Sequence, residues 1–220
     1  MNPWDMPPHM LKHENRVKSQ GFFFVVGIDE AGRGPLAGPV VAAAVSLRSD
    51  KFENKIGDSK KLTALQRERA FHEIHENAYI GVGIMNESII DEVNILQATY
   101  LAMQSAVENL LRRLPSQILS VHHPEQAVHL LIDGDRFKSR LPYKYTTIIG
   151  GDGQCLSIAC ASIIAKVIRD RILNIYHRVF PHYGFDQHKG YPTLEHKQAI
   201  QRHGLSRIHR KTFHHLLEGR

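Results

Sequence analysis

Phe22-Phe-Phe-Val-Val-Gly-Ile-Asp29-Glu30-Ala-Gly32-Arg33-Gly34-Pro-Leu-Ala-Gly38-Pro-Val40-Val-Ala-Ala-Ala-Val45 is an apolar run that ends on two carboxylates, breaks into a glycine-proline loop and resumes as a second apolar run. Short length and apolar enrichment predict strands over 22–28 and 39–47. Their connection is too short for a crossover helix, so they are predicted to be antiparallel neighbours, which argues against a doubly wound, all-parallel sheet. Two adjacent carboxylates at the end of a buried strand are costly unless a cation or a reaction needs them there. A glycine-flanked arginine beside them points to a phosphate as guest, and to acids that hold metal rather than repel that guest.

Working outward, apolar enrichment predicts further strands at 79–85, 128–132 and 144–149. A helix over 63–77 opens at Thr63 with Gln66 three residues on, a capping-box pattern. A second helix, 95–114, carries Leu96, Tyr100, Met103, Val107, Leu110, Leu111 and Leu114 on one stripe. The stretch 155–179 is so apolar that it must be a largely buried helix. Another helix runs from Thr193 to near Gly204, and a short one lies around 212–218. Strands mixed with helices predict an α/β sandwich. Residues 1–20 are polar, proline-bearing and aperiodic, which predicts a loose arm and leaves 21–220 as one domain.

The chain of 220 residues is long enough to bury a full core, and 42% hydrophobic with 23% charged residues is ordinary for a soluble globular protein. Its apolar runs are far shorter than a membrane span needs, and its start lacks the pattern of a secretory signal. Cys155 and Cys160 match neither a zinc pair nor a disulfide framework, so a reducing cytoplasm is the expected home. Charge is uneven: residues 1–135 hold 13 Lys/Arg against 17 Asp/Glu, whereas 136–220 hold 15 against 5. That asymmetry suggests a polyanion met mainly by the C-terminal part.

Three more acids stand at comparable places. Asp133 follows the apolar Val128–Ile132 and precedes Gly134, Asp152 lies in Gly150-Gly-Asp-Gly153, and Asp58 heads Asp58-Ser-Lys-Lys61. Each alone reads as a turn or N-cap acid. If the strands that carry the first three sit side by side, however, Asp29, Glu30, Asp133 and Asp152 would cluster at one sheet edge. Four crowded carboxylates require cations between them, and oxygen-only ligands suit Mg²⁺ or Mn²⁺ rather than zinc.

Gly27-Ile-Asp29-Glu30-Ala-Gly32-Arg33-Gly34-Pro-Leu-Ala-Gly-Pro-Val-Val resembles the opening signature of ribonuclease HII, the type 2 ribonuclease H family. Asp58-Ser-Lys-Lys-Leu62, Leu131-Ile-Asp133-Gly134, Ala161-Ser-Ile-Ile-Ala-Lys-Val-Ile-Arg-Asp170 and His188-Lys-Gly-Tyr191-Pro-Thr193 match its later blocks in order, over roughly residues 22–215. The resemblance implies a ribonuclease H-like fold, a five-stranded mixed sheet with helices on both faces and a C-terminal helical substrate-binding part. It implies a monomer acting on RNA/DNA hybrids and on duplex DNA with embedded ribonucleotides, nicked on the 5′ side to leave 3′-hydroxyl and 5′-phosphate ends. The family's four acids map onto Asp29, Glu30, Asp133 and Asp152. Asp135 is a nearby rival for the third, but Asp133 follows its strand directly. By family analogy Asp29 bridges two ions, Asp152 serves the ion that delivers water, and Glu30 and Asp133 hold the other.

The resemblance also implies that Gly32, Arg33 and Gly34 read the 2′-hydroxyl, with backbone amides and carbonyls as donor and acceptor. Tyr191 maps onto the aromatic that stacks on the next sugar. Ser59, Lys60, Lys61 and Lys166 are expected at phosphates. The intact Gly-Arg-Gly separates the chain from ribonuclease HIII, which has an added N-terminal substrate-binding domain.

Three rival readings are weaker. Gly32-x-Gly34-x-x-Ala37 imitates a dinucleotide fingerprint, but a Val/Ala strand follows where a helix N-terminus should receive the pyrophosphate. A non-catalytic nucleic-acid module explains the basic C-terminal part and leaves the acids unexplained. Among 15 histidines, His72/His75, His122-His123 and His214-His215 form no complete zinc pattern, so surface histidines are the expectation.

Overall fold

In the computed structural model, which describes residues 7–114 and 124–216, both strands of the opening stretch form. They are β1 (Phe24–Ala31) and β2 (Val40–Leu47), antiparallel, with Gly27 opposite Val45 and Ala31 opposite Val41. The other predicted strands are β3 (Ala78–Met85), β4 (Val128–Asp133) and β5 (Lys144–Ile148). The sheet runs β3-β2-β1-β4-β5, with β3 antiparallel to β2 and β4 and β5 parallel to β1. Parallel pairing of β1 with β4, with Ile28 opposite Ile132, carries the next residues, Asp29 and Asp133, to the same sheet edge.

The helices are α1 (Lys12–Ser19), α2 (Ala64–Asn77), α3 (Glu87–Val93), α4 (Ile95–Leu111), α5 (Leu156–Val179) and α6 (Leu194–His203), with single turns such as Phe185–His188 between them. The capping box of α2 is complete: Gln66 N–H donates to Thr63 Oγ1 at 3.2 Å and Thr63 N–H to Gln66 Oε1 at 2.9 Å. Strand β2 explains why the sheet shows no polar alternation. Val41, Ala43 and Val45 pack on one face with Leu156, Ala159, Ile163 and Ile164 of α5, while Val40, Ala42 and Ala44 pack on the other with Ala102, Met103 and Ala106 of α4. A strand covered on both faces reads as one apolar run. At Gly27 a Cβ would come within 2.2 Å of the Ser157 backbone, so glycine there lets α5 lie directly on β1.

Several expectations change. The described part of the stretch read as a loose arm carries regular structure: Pro8–Leu11 form a 3₁₀ turn that leads into α1. Met10, Glu14 and Val17 recur at helical spacing and are buried. Glu14 Oε1 accepts from Ser157 N–H at 2.9 Å and Ser157 Oγ–H at 2.8 Å, capping α5 from a distant segment where its own N-cap, Cys155, makes no side-chain bond. Helix α4 stops at Leu111 rather than 114, and Leu96 of the predicted stripe is exposed because Asn94, at φ 68°, caps the helix there. The seven-residue α3 was too short to show a period. The short helix predicted around 212–218 is a 3₁₀ helix, Lys211–Leu216. His122 and His123 lie outside the described residues, as do the side chains of His214 and His215. Among the described residues no helix is long and apolar enough to cross a membrane. The C-terminal part builds a second small core of Tyr183, Phe185, Ala199, Ile200 and Ile208 with Leu173 of α5, closed by Leu36 and Ala37 of the β1–β2 loop.

Candidate active site

The acids meet at one edge of the sheet. Asp29, only 6% exposed, closes the buried part of β1, and its Oδ1 accepts the Glu30 N–H at 2.7 Å. Burial first, then Glu30 and Asp133, hold its carboxyl well above the ordinary range. Burial also raises Glu30, against the pull of Arg33, whose Nη1 lies 3.2 Å from Glu30 Oε1. Asp133 ends β4, and its Oδ1 accepts Gly151 N–H at 2.7 Å, which ties the Asp152 loop to the strand. Burial, then Asp58 and Asp133, raise Asp152. Asp135 is exposed and pairs with Arg136 at 3.4 Å.

These acids act on one another through their fields. Among the described residues no three His, Cys, Asp or Glu side chains are gathered into a closed metal-ligand set. Facing carboxylates repel, and the raised Asp29, Glu30 and Asp152 are that repulsion and burial expressed as proton affinity. Their donors are all oxygen, the set a hard dication takes.

A cleft of about 760 Å³ opens beside Asp29 and Glu30, lined also by Gly32, Arg33, Gly34, Ser59, Lys60, Lys166 and Tyr191. Tyr191 is 42% exposed, and a Cβ on Gly34 would stand 3.7 Å from its ring. Gly32, at φ +100°, is also required by packing: a Cβ there would come within 2.1 Å of Arg169 Nε beneath the loop. Ser59 lines this cleft and is only 3% exposed. Its buried hydroxyl lies 2.9 Å from Ser162 Oγ, and Ser162 acts on the Asp29 carboxyl against the upward push of burial. Lys61 projects into solvent 3.5 Å from Asp58, while Lys166 Nζ donates to Asp170 Oδ1 at 2.8 Å at the edge of the cleft.

Sequence reasoning missed the supports of this site. Arg67 Nη1 donates to the carbonyls of Ser59 and Leu62 at 2.9 and 2.6 Å, shaping the Asp58–Lys61 loop. Asp58, read as a turn acid, stands beside Asp152. Three histidines hold the backbone around Tyr191. Ser206 N–H donates to His209 Nδ1 at 2.8 Å, so His209 carries its proton on Nε2 and offers it to His196 Nε2 at 3.1 Å. His196 then donates from Nδ1 to the Tyr191 carbonyl at 2.8 Å, and His188 Nδ1 accepts Gly190 N–H at 3.1 Å. Burial pushes both His196 and His209 down to about 4. The one legible signal for Arg169 was a cation inside the apolar α5.

A family model described as Ribonuclease HII matches residues 26–216. The ribonuclease HII of Bacillus cytotoxicus is 46% identical over 205 residues, which span 93% of this chain and 73% of that protein. The ribonuclease HII of Bacillus mycoides is 47% identical over 205 residues, 93% of this chain and 74% of its own. Among solved structures, the ribonuclease H2 of Pyrococcus horikoshii OT3 shares the fold, with a TM-score of 0.64 at 23% identity, covering 89% of this chain and 97% of that one.

Proposed function

The chain belongs to the ribonuclease HII family and is thus a type 2 ribonuclease H, a premise from which we propose its finer activity. It hydrolyses the RNA of RNA/DNA hybrids and nicks 5′ of single ribonucleotides in duplex DNA, leaving 3′-hydroxyl and 5′-phosphate ends. What carries this reading is the meeting, at one cleft, of Asp29 and Glu30, a Gly-Arg-Gly loop and an exposed tyrosine, with Asp133 acting on both acids. We assign the cluster Asp29, Glu30, Asp133 and Asp152 to two Mg²⁺ or Mn²⁺ ions, because an oxygen-only donor set suits them and crowded, raised carboxylates are relieved by cations. When bound, such ions lower the pKa of a water and stabilise the leaving 3′-oxygen.

The protein's own groups do the rest. Ser162, 2.9 Å from Ser59, holds down the proton affinity of the central carboxylate, Asp29. Lys60 and Lys166 meet phosphates along the cleft, with Lys61 at its approach. The Gly32–Gly34 backbone reads the ribose 2′-hydroxyl, the group that marks RNA in a duplex. The Tyr191 ring stacks on the following sugar and crowds out a second 2′-hydroxyl, which gives preference for a junction. The enzyme works as a monomer, and the reduced, buried Cys155 and Cys160 suit a cytoplasmic setting.

The test is a DNA duplex with one embedded ribonucleotide, incubated with Mg²⁺ or Mn²⁺ beside an all-DNA duplex, a long hybrid and a chelator control. A single 5′ nick lost with chelator is expected, and Tyr191→Ala should lose junction preference more than hybrid affinity. Cleavage of the long hybrid alone would overturn the roles given to Tyr191 and the Gly-Arg-Gly loop. No cleavage of either substrate would overturn the activity.

A further inference from the structure

Arg210 and Arg169 are 2% and 1% exposed, the deepest positive charges among the described residues. A buried guanidinium is tolerated only when its donors are used. Here they go to backbone carbonyls. Arg210 donates from Nη2 to Gly32 O at 2.6 Å, from Nη1 to Arg33 O at 2.9 Å, and from Nε and Nη2 to Gly38 O at 3.0 and 2.7 Å. Arg169 donates to Pro39 O at 3.0 Å, Ala37 O at 3.1 Å and Lys189 O at 3.0 Å. All but the last of these carbonyls belong to the β1–β2 loop, and Lys189 lies two residues before Tyr191. The buried Glu87 supplies the opposing charge to both arginines.

The direction of those carbonyls matters. Every described peptide is trans, so each C=O points opposite to the N–H of the next residue. With Gly32 O and Arg33 O turned to Arg210, the N–H groups of Arg33 and Gly34 face away from it. Arg33, Gly34 and Tyr191 line the cleft, whereas Arg210 is not among its lining residues.

We infer that Arg210, assisted by Arg169, is a positioning residue for substrate discrimination. It withdraws the loop's carbonyls and leaves a pair of N–H donors to meet the ribose 2′-oxygen as an acceptor. Deoxyribose offers no acceptor there. This inference rests on the reading of Gly32–Gly34 as the ribose-sensing loop, and it changes that reading, since carbonyls were also expected to take part.

The backbone of Arg210 separately donates to Leu36 O at 2.8 Å, and Gly38 N–H donates to Ile208 O at 2.8 Å. Arg210→Gln therefore removes the guanidinium while the segment stays docked. The measurement is the ratio of dissociation constants for all-DNA and single-ribonucleotide duplexes in Ca²⁺, with thermal melting alongside. Arg210→Gln is expected to lower that ratio about fivefold, the size of one lost neutral N–H···O hydrogen bond to the ribose, with all-DNA affinity kept. A merely structural role would lower the melting temperature and leave the ratio of the folded protein unchanged. If Arg210→Gln does not fold, Arg210→Lys carries the same test, because an ammonium cannot span the three carbonyls. Gly34→Ala separates the two layers of the argument. A ratio that falls in Gly34→Ala but holds in the Arg210 variants overturns the positioning role. A ratio unmoved in all of them overturns the ribose-sensing loop and this inference with it.

Discussion

Gly32→Ala confronts the β1–β2 loop with its most direct test. Gly32 has φ +100°, where an L-residue is strained, and a Cβ would lie 2.1 Å from Arg169 Nε, 2.5 Å from its Cδ and 2.7 Å from Pro39 O. Backbone strain costs about 1–2 kcal/mol. Arg169 must also retreat by roughly 1 Å, which breaks its 3.0 Å bond to Pro39 O inside the protein. A charge-assisted bond of that kind is worth about 1.5–3 kcal/mol. The sum is roughly 3–5 kcal/mol, or a fall in Tm of about 6–20 °C for a chain of this size. Gly34→Ala in the same tripeptide is the internal control. Its Cβ meets only the Tyr191 ring at 3.7 Å, so a change within about 0.5 kcal/mol is expected. Thermal unfolding followed by circular dichroism measures both. A Gly32→Ala protein that melts within about 2 °C of the parent would refute the clamp geometry, whatever its activity.

Asp29→Asn is expected to abolish nicking yet raise stability at neutral pH. Its carboxyl is raised in the folded state, so the wild type bears a cost that is absent in strong acid and grows as pH rises through the raised value. The stability gap should close as pH falls toward the ordinary carboxylate range, and a variant less stable than the parent at pH 7 would contradict the assignment. Glu14→Ala uncaps α5 and should cost about 1–3 kcal/mol in urea unfolding with little change in nicking, whereas a melting curve superimposed on the parent's would mean that α1 does not hold that helix. Imidazole ¹⁵N spectra should find His196 and His209 neutral at pH 5.5, with protons on Nδ1 and Nε2 respectively. Because these values are lowered, the pair's contribution is full above about 6.5 and lost as pH falls through about 4. Titration near 6.5 would refute the network.

Much of the frame was legible because its signals are local. Val40–Val45 is covered on both faces and reads as an unbroken apolar run, and the short Gly-Pro connection forces its antiparallel pairing with β1. Asp29 and Asp133 are visible as acids at the ends of apolar strands, and Thr63 with Gln66 announces a helix start. The extent of α4 was less legible, since the stripe through Leu111 and Leu114 continues past the point where the helix turns off. Glu14 gave no local sign of its role, since its partner Ser157 is 143 residues away.

By itself, then, the order of residues determined five strands, the two antiparallel neighbours and the identity of the acids, because periodicity, chain length and the cost of burying charge all act within a few residues of one another. Only the tertiary structure decided which way the loop's peptides face, that the Ser59 hydroxyl is buried against Ser162, and that Asp58 stands beside Asp152. The first of these depends on Arg169 and Arg210, which reach the first loop across 130 to 178 residues of sequence, and the second on Ser162, 103 residues from Ser59. A guanidinium's choice among carbonyls is a matter of distance and direction, and neither exists until the chain has folded.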